Sequence, residues 1–67
     1  MTVANRIRQT LSSLIGIQAS LQTFAIQSPD PKARQAYEQS ADEALTIITQ
    51  LKQRLQEIEK EEPQYKT

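Results

Sequence analysis

Ser28-Pro29-Asp30-Pro31 is the stretch that decides the fold of this 67-residue chain, because no other strong interruption occurs before Pro63. Proline and turn-forming residues end helices, and here they cluster in one place. Asp30 followed by Pro31 is typical of a helix N-cap with proline at the first helical position, where the missing N–H costs nothing. Ser28-Pro29 offers a second cap two residues earlier, so two starting points are open. Either way the loop is short, and a short loop makes the flanking helices antiparallel neighbours.

Apolar residues recur every three or four positions on both sides of this loop, which is the spacing of one helix face. Before the loop they are Val3, Ile7, Leu11, Leu14, Ile17, Leu21 and Phe24, and after it Tyr37, Ala41, Ala44, Ile48, Leu51, Leu55 and Ile58. We therefore predict an all-α, antiparallel two-helix hairpin as a single domain. Helix 1 spans about 3–27, the turn 28–30 and helix 2 about 31–61. The residue before Pro63 is biased away from helical dihedrals, so a frayed tail is predicted over 62–67.

The turn also predicts which residues face each other. If it is centred near Pro29, partners across the hairpin have numbers that add up to roughly 58, so that Leu14 faces Ala44. The small side chains of Ala41 and Ala44 then allow the helices to approach closely. In this register Ile58 extends beyond the start of helix 1 and has no partner inside the hairpin.

The apolar surface of helix 1 is wider than one neighbouring helix covers, since Ile15 and Ile26 extend it to an arc of roughly 200°. The sequence has neither Cys nor His, so disulfides and zinc have no ligands, and self-association remains as the stabiliser of a small scaffold. We predict a homodimer that forms a four-helix bundle, with a higher homo-oligomer as the alternative. The predicted interface comprises the apolar residues Ile7, Leu11, Leu14, Ile15, Ile17, Leu21, Phe24, Ile26, Tyr37, Ala41, Ala44, Leu45, Ile47, Ile48, Leu51, Leu55 and Ile58.

Nothing in the residue types points to catalysis. Serine and threonine are plentiful, but the usual base, His, is missing, and no lysine sits in a setting that would desolvate it. Gly16 is the only glycine, so a phosphate-binding loop is excluded. The sequence therefore predicts no enzyme, no catalytic residue and no cofactor.

One acidic run, made of Glu57, Glu59, Glu61 and Glu62, ends helix 2. It lacks the Asn, Gly or His that would complete a cation site, so we expect a solvated helix end and no metal. Carboxylates at a helix C-terminus oppose the macrodipole. The start of helix 1, which carries Arg6 and Arg8, is expected to lie alongside and offset them.

The charges of the chain argue against nucleic acid as a partner. Eight basic and eight acidic residues cancel, and the basic residues form no stripe, so nucleic acid is not expected as a partner. The first residues, MTVANRIRQT, hold no seven-residue apolar core, so a secretory signal is not expected, and the apolar stretches are too short for a membrane span to be expected. An intracellular, cytoplasmic location is therefore expected.

Helix 1 lacks any charged residue from Gln9 to Ser28. Its outward face carries the small residues Ser12, Gly16, Ala19, Ser20 and Thr23. Three interpretations are open: a plain solvent-facing stripe, a second face on which another helix packs, or a face that lies on a membrane surface.

Four segments together give the chain a resemblance to a family. They are the opening MTV, the run QTLSSLIGIQASLQTFAIQ, the segment AYEQSADEALTIITQLKQRLQEIE and the ending EEPQYK. The chain resembles the short bacterial proteins grouped as domain of unknown function 1657. Pro29 and Pro31 depart from the polar and acidic residues expected in that turn.

The resemblance implies a cellular context, but the family has no established catalytic or binding residues that could be carried over to this chain. The family is typical of endospore-forming Firmicutes, and its members occur near genes for spore inner-membrane proteins that handle dipicolinic acid. The resemblance therefore implies that the helical interaction module predicted from the residues acts in the forespore or spore, with a spore membrane-associated protein as a partner besides itself. The alternative is a peripheral membrane-surface protein that uses helix 1.

Overall fold

A computed structural model of the protein describes residues 2–61. In this range the chain forms two α-helices, α1 (Val3–Gln27) and α2 (Pro31–Glu61), and no strand. The helices lie side by side and antiparallel, in a hairpin whose Cα extents are 49 × 17 × 10 Å. The all-α fold is therefore as the sequence predicts, and the predicted tail at 62–67 lies outside the described residues.

Hydrogen bonds at both ends of α1 satisfy some of the free backbone groups of the helix. The Thr2 hydroxyl accepts a hydrogen bond from the Asn5 N–H over 3.1 Å, which makes Thr2 the N-cap. At the other end, the Ser28 N–H donates to the Phe24 carbonyl over 3.0 Å. Ser28 itself is extended, with φ −80° and ψ 124°, so the helix stops there.

The turn is held by two neighbouring side chains. A carboxylate oxygen of Asp30 accepts a hydrogen bond from the Ala33 N–H over 3.3 Å, so Asp30 caps α2 and the later of the two possible starts applies. The Arg34 guanidinium donates two hydrogen bonds, of 3.1 and 3.2 Å, to the Ser28 carbonyl. Arg34 therefore fastens the first turn of α2 to the end of α1.

The core is a single seam between the two helices. Its most buried residues, each at most 8% exposed, are Ala4, Leu11, Ala25, Ala41, Ala44, Ile48 and Ile58. The half-buried positions Ile7, Leu14, Gln18, Leu21, Leu51 and Leu55 complete it. Both helices thus contribute residues at alternating spacings of three and four, the pattern of a coiled-coil seam.

In α1 the seam is turned by one residue from the predicted stripe. Three residues of the predicted stripe are about half exposed: Val3, Ile17 and Phe24. In each case the next residue along the chain occupies the seam instead. Those replacements are Ala4, Gln18 and Ala25. The small alanines near both ends leave room for large side chains of α2, whereas three more bulky residues there would push the helices apart.

The register is one helical turn further along than a turn centred at Pro29 predicts. Ile58 is 8% exposed and therefore packs within the hairpin, so the prediction that it has no partner there was wrong. The Arg34–Ser28 contact and the burial of Ala4 fit partners whose numbers add up to about 62, which places Ile58 opposite Ala4. The offset arises in the link of residues 28–30, which is not helical and in which Ser28 is extended, so that the chain continues along the axis of α1 before α2 turns back.

Candidate interaction surface

Large apolar side chains cover much of the outer surface of the hairpin. Eight of them are exposed, from 36% for Tyr37 to 84% for Ile26. The full set is Val3, Ile15, Ile17, Phe24, Ile26, Tyr37, Leu45 and Ile47. Scattered exposed apolar residues are ordinary, but a set this dense on 60 residues is typical of an interaction surface.

Most of these side chains divide between the two broad faces of the hairpin, which lie on either side of the plane containing both helix axes. Three exposed residues of α1 come immediately before a seam residue: Val3, Ile17 and Phe24. In α2, Ile47 comes immediately before the seam residue Ile48. In an antiparallel pair, such preceding positions of the two helices lie on the same side. We call this side, formed by Val3, Ile17, Phe24 and Ile47, the Phe24 face.

The opposite side carries the residues that follow a seam position, and we call it the Arg8 face. Its large or charged members are Arg8, Ile15, Gln22 and Ile26 from α1 and Glu38, Asp42, Leu45, Lys52 and Glu59 from α2. Two contacts across the helices confirm this assignment. Arg8 forms an ion pair with Glu59, and Gln22 and Glu38 line the same shallow depression.

An aromatic pair holds the turn end of the Phe24 face. The rings of Phe24 and Tyr37 meet edge to face, with their centroids 5.8 Å apart and their planes at 62°. Pairs in this geometry contribute about 0.5–1.5 kcal/mol beyond the area they bury. The half-exposed Phe24 ring therefore has a packing partner within the hairpin.

The row of small residues on helix 1 is exposed along its whole length. Its members Ser12, Gly16, Ala19, Ser20 and Thr23 all face outward. The Thr23 hydroxyl donates back to the Ala19 carbonyl over 3.1 Å, so it is satisfied within the helix. A Cβ added at Gly16 would meet no atom within 4 Å. Within the hairpin, this row packs against no other part of the described chain.

Part of that row borders the Phe24 face and forms a groove with it. The groove is lined by Ser13, Gly16, Ile17, Ser20, Leu21 and Phe24. Three small residues, Ser13, Gly16 and Ser20, line it together with the larger side chains, and the groove is wide open to solvent. Such a shape accommodates an apolar side chain from another helix.

The predicted interface residues fall into two groups. Those within the seam of the hairpin are Ile7, Leu11, Leu14, Leu21, Ala41, Ala44, Ile48, Leu51, Leu55 and Ile58. Those that remain exposed, and so face away from the hairpin core, are Ile15, Ile17, Phe24, Ile26, Tyr37, Leu45 and Ile47. The first group holds the hairpin together, and the second group is what a partner would meet.

Sequence reasoning missed three seam residues of α1, namely Ala4, Gln18 and Ala25. Their hydropathy gave little signal, because two are alanines and one is polar. The signal that could have found them is spacing, since these positions continue the alternation of Ile7, Leu11, Leu14 and Leu21 as a strict heptad.

Two ion pairs form near the open end of the hairpin. Besides its ion pair with Glu59, the Arg8 guanidinium donates a 2.8 Å hydrogen bond to the Asn5 side chain. Arg54 pairs with Glu57 over 3.2 Å. The prediction that the start of helix 1 lies alongside the acidic end of helix 2 is thus confirmed. Over residues 2–61, acidic side chains do not gather in threes as a metal site would require.

Comparison with known proteins gives one match. A family model described as "Protein of unknown function (DUF1657)" matches residues 7–55, which include most of α1 and α2. Neither a curated protein nor a solved structure matches the chain. Over the described residues, no helix has both the length and the apolar character needed to cross a membrane.

Proposed function

Given that the chain belongs to the protein family of unknown function DUF1657, we propose that it is a non-catalytic helical interaction module. In this proposal the hairpin pairs with a second copy of itself to form a four-helix bundle. The bundle acts in sporulation or in the dormant spore, close to a membrane-associated partner at the spore inner membrane.

The observation that carries the proposal is the exposed apolar surface of the hairpin. One seam is all that two helices can form, and it leaves Ile17, Phe24 and Ile47 about half exposed. Burying apolar area stabilises by about 25 cal/mol per Å², so covering these side chains favours association. A second hairpin supplies two further apolar helices, and a four-helix bundle is the common way in which helix pairs close.

Sedimentation equilibrium of the full chain tests self-association. The chain has a mass of 7.6 kDa, and we expect twice that mass at micromolar concentration. A mass of one chain throughout a concentration series that extends to the millimolar range would contradict the proposal.

A membrane-surface role is the second candidate, and the observation that favours it is the outer side of α1. Ile26 is 84% exposed, and the chain has no charge from Gln9 to Ser28. Helices with an uncharged polar face and an apolar face bind lipid-packing defects. Co-sedimentation with small phosphatidylglycerol–phosphatidylethanolamine vesicles separates the candidates. The interaction module stays in the supernatant as a dimer, whereas pelleting with the vesicles would favour the second candidate.

The cellular part of the proposal comes from what the family resemblance implies. We expect the protein to accumulate in sporulating cells and in spores of the endospore former that encodes it. Immunodetection through growth and sporulation measures this, with a vegetative cytoplasmic protein as the control. Equal abundance in growing cells and absence from spores would contradict a role in sporulation.

A further inference from the structure

The two helices of the hairpin differ in charge far more than its two broad faces do. Between Gln9 and Gln27, α1 carries no charged residue, whereas charged residues recur along α2 from Lys32 to Glu61. Burying a charge without a partner costs several kcal/mol. A partner can therefore cover the outer side of α1, which points away from α2, at a lower cost than the outer side of α2.

The outer side of α1 has the shape of a row between two flanks. Gly16 and Thr23 are seven residues apart and lie in the middle of the row, opposite the seam. The large side chains that flank the row are Ile15 and Ile26 towards the Arg8 face, and Ile17 and Phe24 towards the Phe24 face. A helix on a bilayer buries one continuous apolar face, whereas another helix can lie on a row of small residues between apolar flanks. This side of α1 therefore fits a helix better than a lipid surface.

Gly16 is a residue that the hairpin itself does not explain. Its backbone has no positive φ, and an added Cβ would meet no atom within 4 Å. Glycine inside a helix costs about 1 kcal/mol relative to alanine. A second helix that approaches α1 closely would make use of the missing side chain. The Thr23 hydroxyl already donates to the Ala19 carbonyl, so it can be covered without the loss of a hydrogen bond.

The outer side of α1 is large enough for a weak dimer. The helix has 25 residues, and the outer half of a helix of that length, with a diameter of about 10 Å, has an area of roughly 550 Å². Two copies would then bury about 1,100 Å² in total, slightly more than the roughly 1,000 Å² expected of a specific interface. An interface of this size forms and dissociates with protein concentration, as the proposed self-association requires.

From these observations we infer that α1 of one copy packs against α1 of a second copy along their outer sides. The α1 helices then lie at the centre of the four-helix assembly, and the outer sides of the α2 helices face water. A two-fold interface has to be complementary to itself. The outer side of α1 meets this condition, since small residues meet small residues and no charges are brought together over residues 9–27. The inference rests on the proposed self-association and adds the helix that carries it.

Thr23 of α1 and Thr46 of α2 form a closely matched pair with which to test this arrangement. Both are exposed on the outer side of their helix, and each hydroxyl donates to the carbonyl four residues earlier, over 3.1 and 3.2 Å. The residues three and four positions before Thr23 are small and uncharged, whereas those before Thr46 are Glu43 and Asp42. Thr23→Lys places a charge in the proposed interface, and Thr46→Lys places the same charge on the side left in water. Lysine is the better helix former, so neither change disfavours its helix.

Sedimentation equilibrium of the full-length variants measures the dimer dissociation constant, and circular dichroism measures their helix content. We expect Thr23→Lys to raise the dissociation constant by about tenfold or more, and Thr46→Lys to leave it within about threefold. If Thr46→Lys alone, both substitutions or neither of them dissociates the dimer, the inference is overturned while the proposed self-association stands. A wild-type chain that sediments as a monomer would remove the proposed function itself.

A second measurement covers the case in which Thr23→Lys fails to fold. The chain has no native cysteine, so Thr23→Cys and Thr46→Cys each introduce a single thiol with little change in size. With a maleimide in excess, we expect labelling of the Thr23→Cys chain to slow several-fold as the protein concentration rises through the dissociation constant, and labelling of the Thr46→Cys chain to keep its rate. Equal slowing of both, or slowing of Thr46→Cys alone, would overturn the inference. Protection of the Thr23→Cys thiol that appears only with phosphatidylglycerol–phosphatidylethanolamine vesicles would assign this side to a membrane and would also overturn it.

Discussion

Single alanines set how closely the two helices approach. Ala41 and Ala44 are 3% and 8% exposed and lie in the middle of the seam of α2. In the observed register they face Leu21 and Gln18 of α1, so large or long side chains meet small ones. A seam filled in this way has no room for additional methylene groups.

Replacing Ala44 with Leu tests this packing. The added atoms have no space between the helices, so we expect the free energy of unfolding to fall by about 1–3 kcal/mol, or the oligomer to change. Chemical denaturation followed by circular dichroism measures the loss. Glu43→Ala, on the neighbouring exposed position, is the control and should stay within about 0.5 kcal/mol. Equal effects of the two substitutions would show that Ala44 is not in the seam.

The seam residues of α2 could be predicted from the sequence more completely than those of α1. The stripe of α2 is a strict heptad with no competing pattern, and its residues Ala41, Ala44, Ile48 and Ile58 are buried. In α1 two stripes share Ile7, Leu11, Leu14 and Leu21. Hydropathy favours the stripe that adds Val3, Ile17 and Phe24, whereas packing selects the one that adds Ala4, Gln18 and Ala25. Size complementarity between helices, which a list of apolar residues does not contain, decides between them.

The register of the two helices and the division of the outer surface into two faces could also be predicted only in part from the sequence. Asp30 and Pro31 indicate where α2 begins, but the axial offset of the helices depends on the conformation of the whole link of residues 28–30. The same offset determines whether Ile58 has a partner in the hairpin. An excess of apolar surface could be predicted from the width of the stripe. Its division into a Phe24 face and an Arg8 face required the rotation of α1 and the position of the Arg8–Glu59 pair.

At the scale of the whole molecule, the hairpin has little core to hold it together. No large side chain among the described residues is completely buried. A chain of this size without disulfide or metal has few other sources of stability. In our account the missing stability comes from the second copy, so that folding and assembly form one equilibrium.

Thermal unfolding over a wide dilution series, followed by circular dichroism, tests this coupling most directly. If the second copy supplies the missing core, mass action raises the melting temperature with protein concentration, by several degrees over a hundredfold range. A sharp transition whose midpoint is the same at every concentration would mean that one hairpin is stable alone, and would contradict the account.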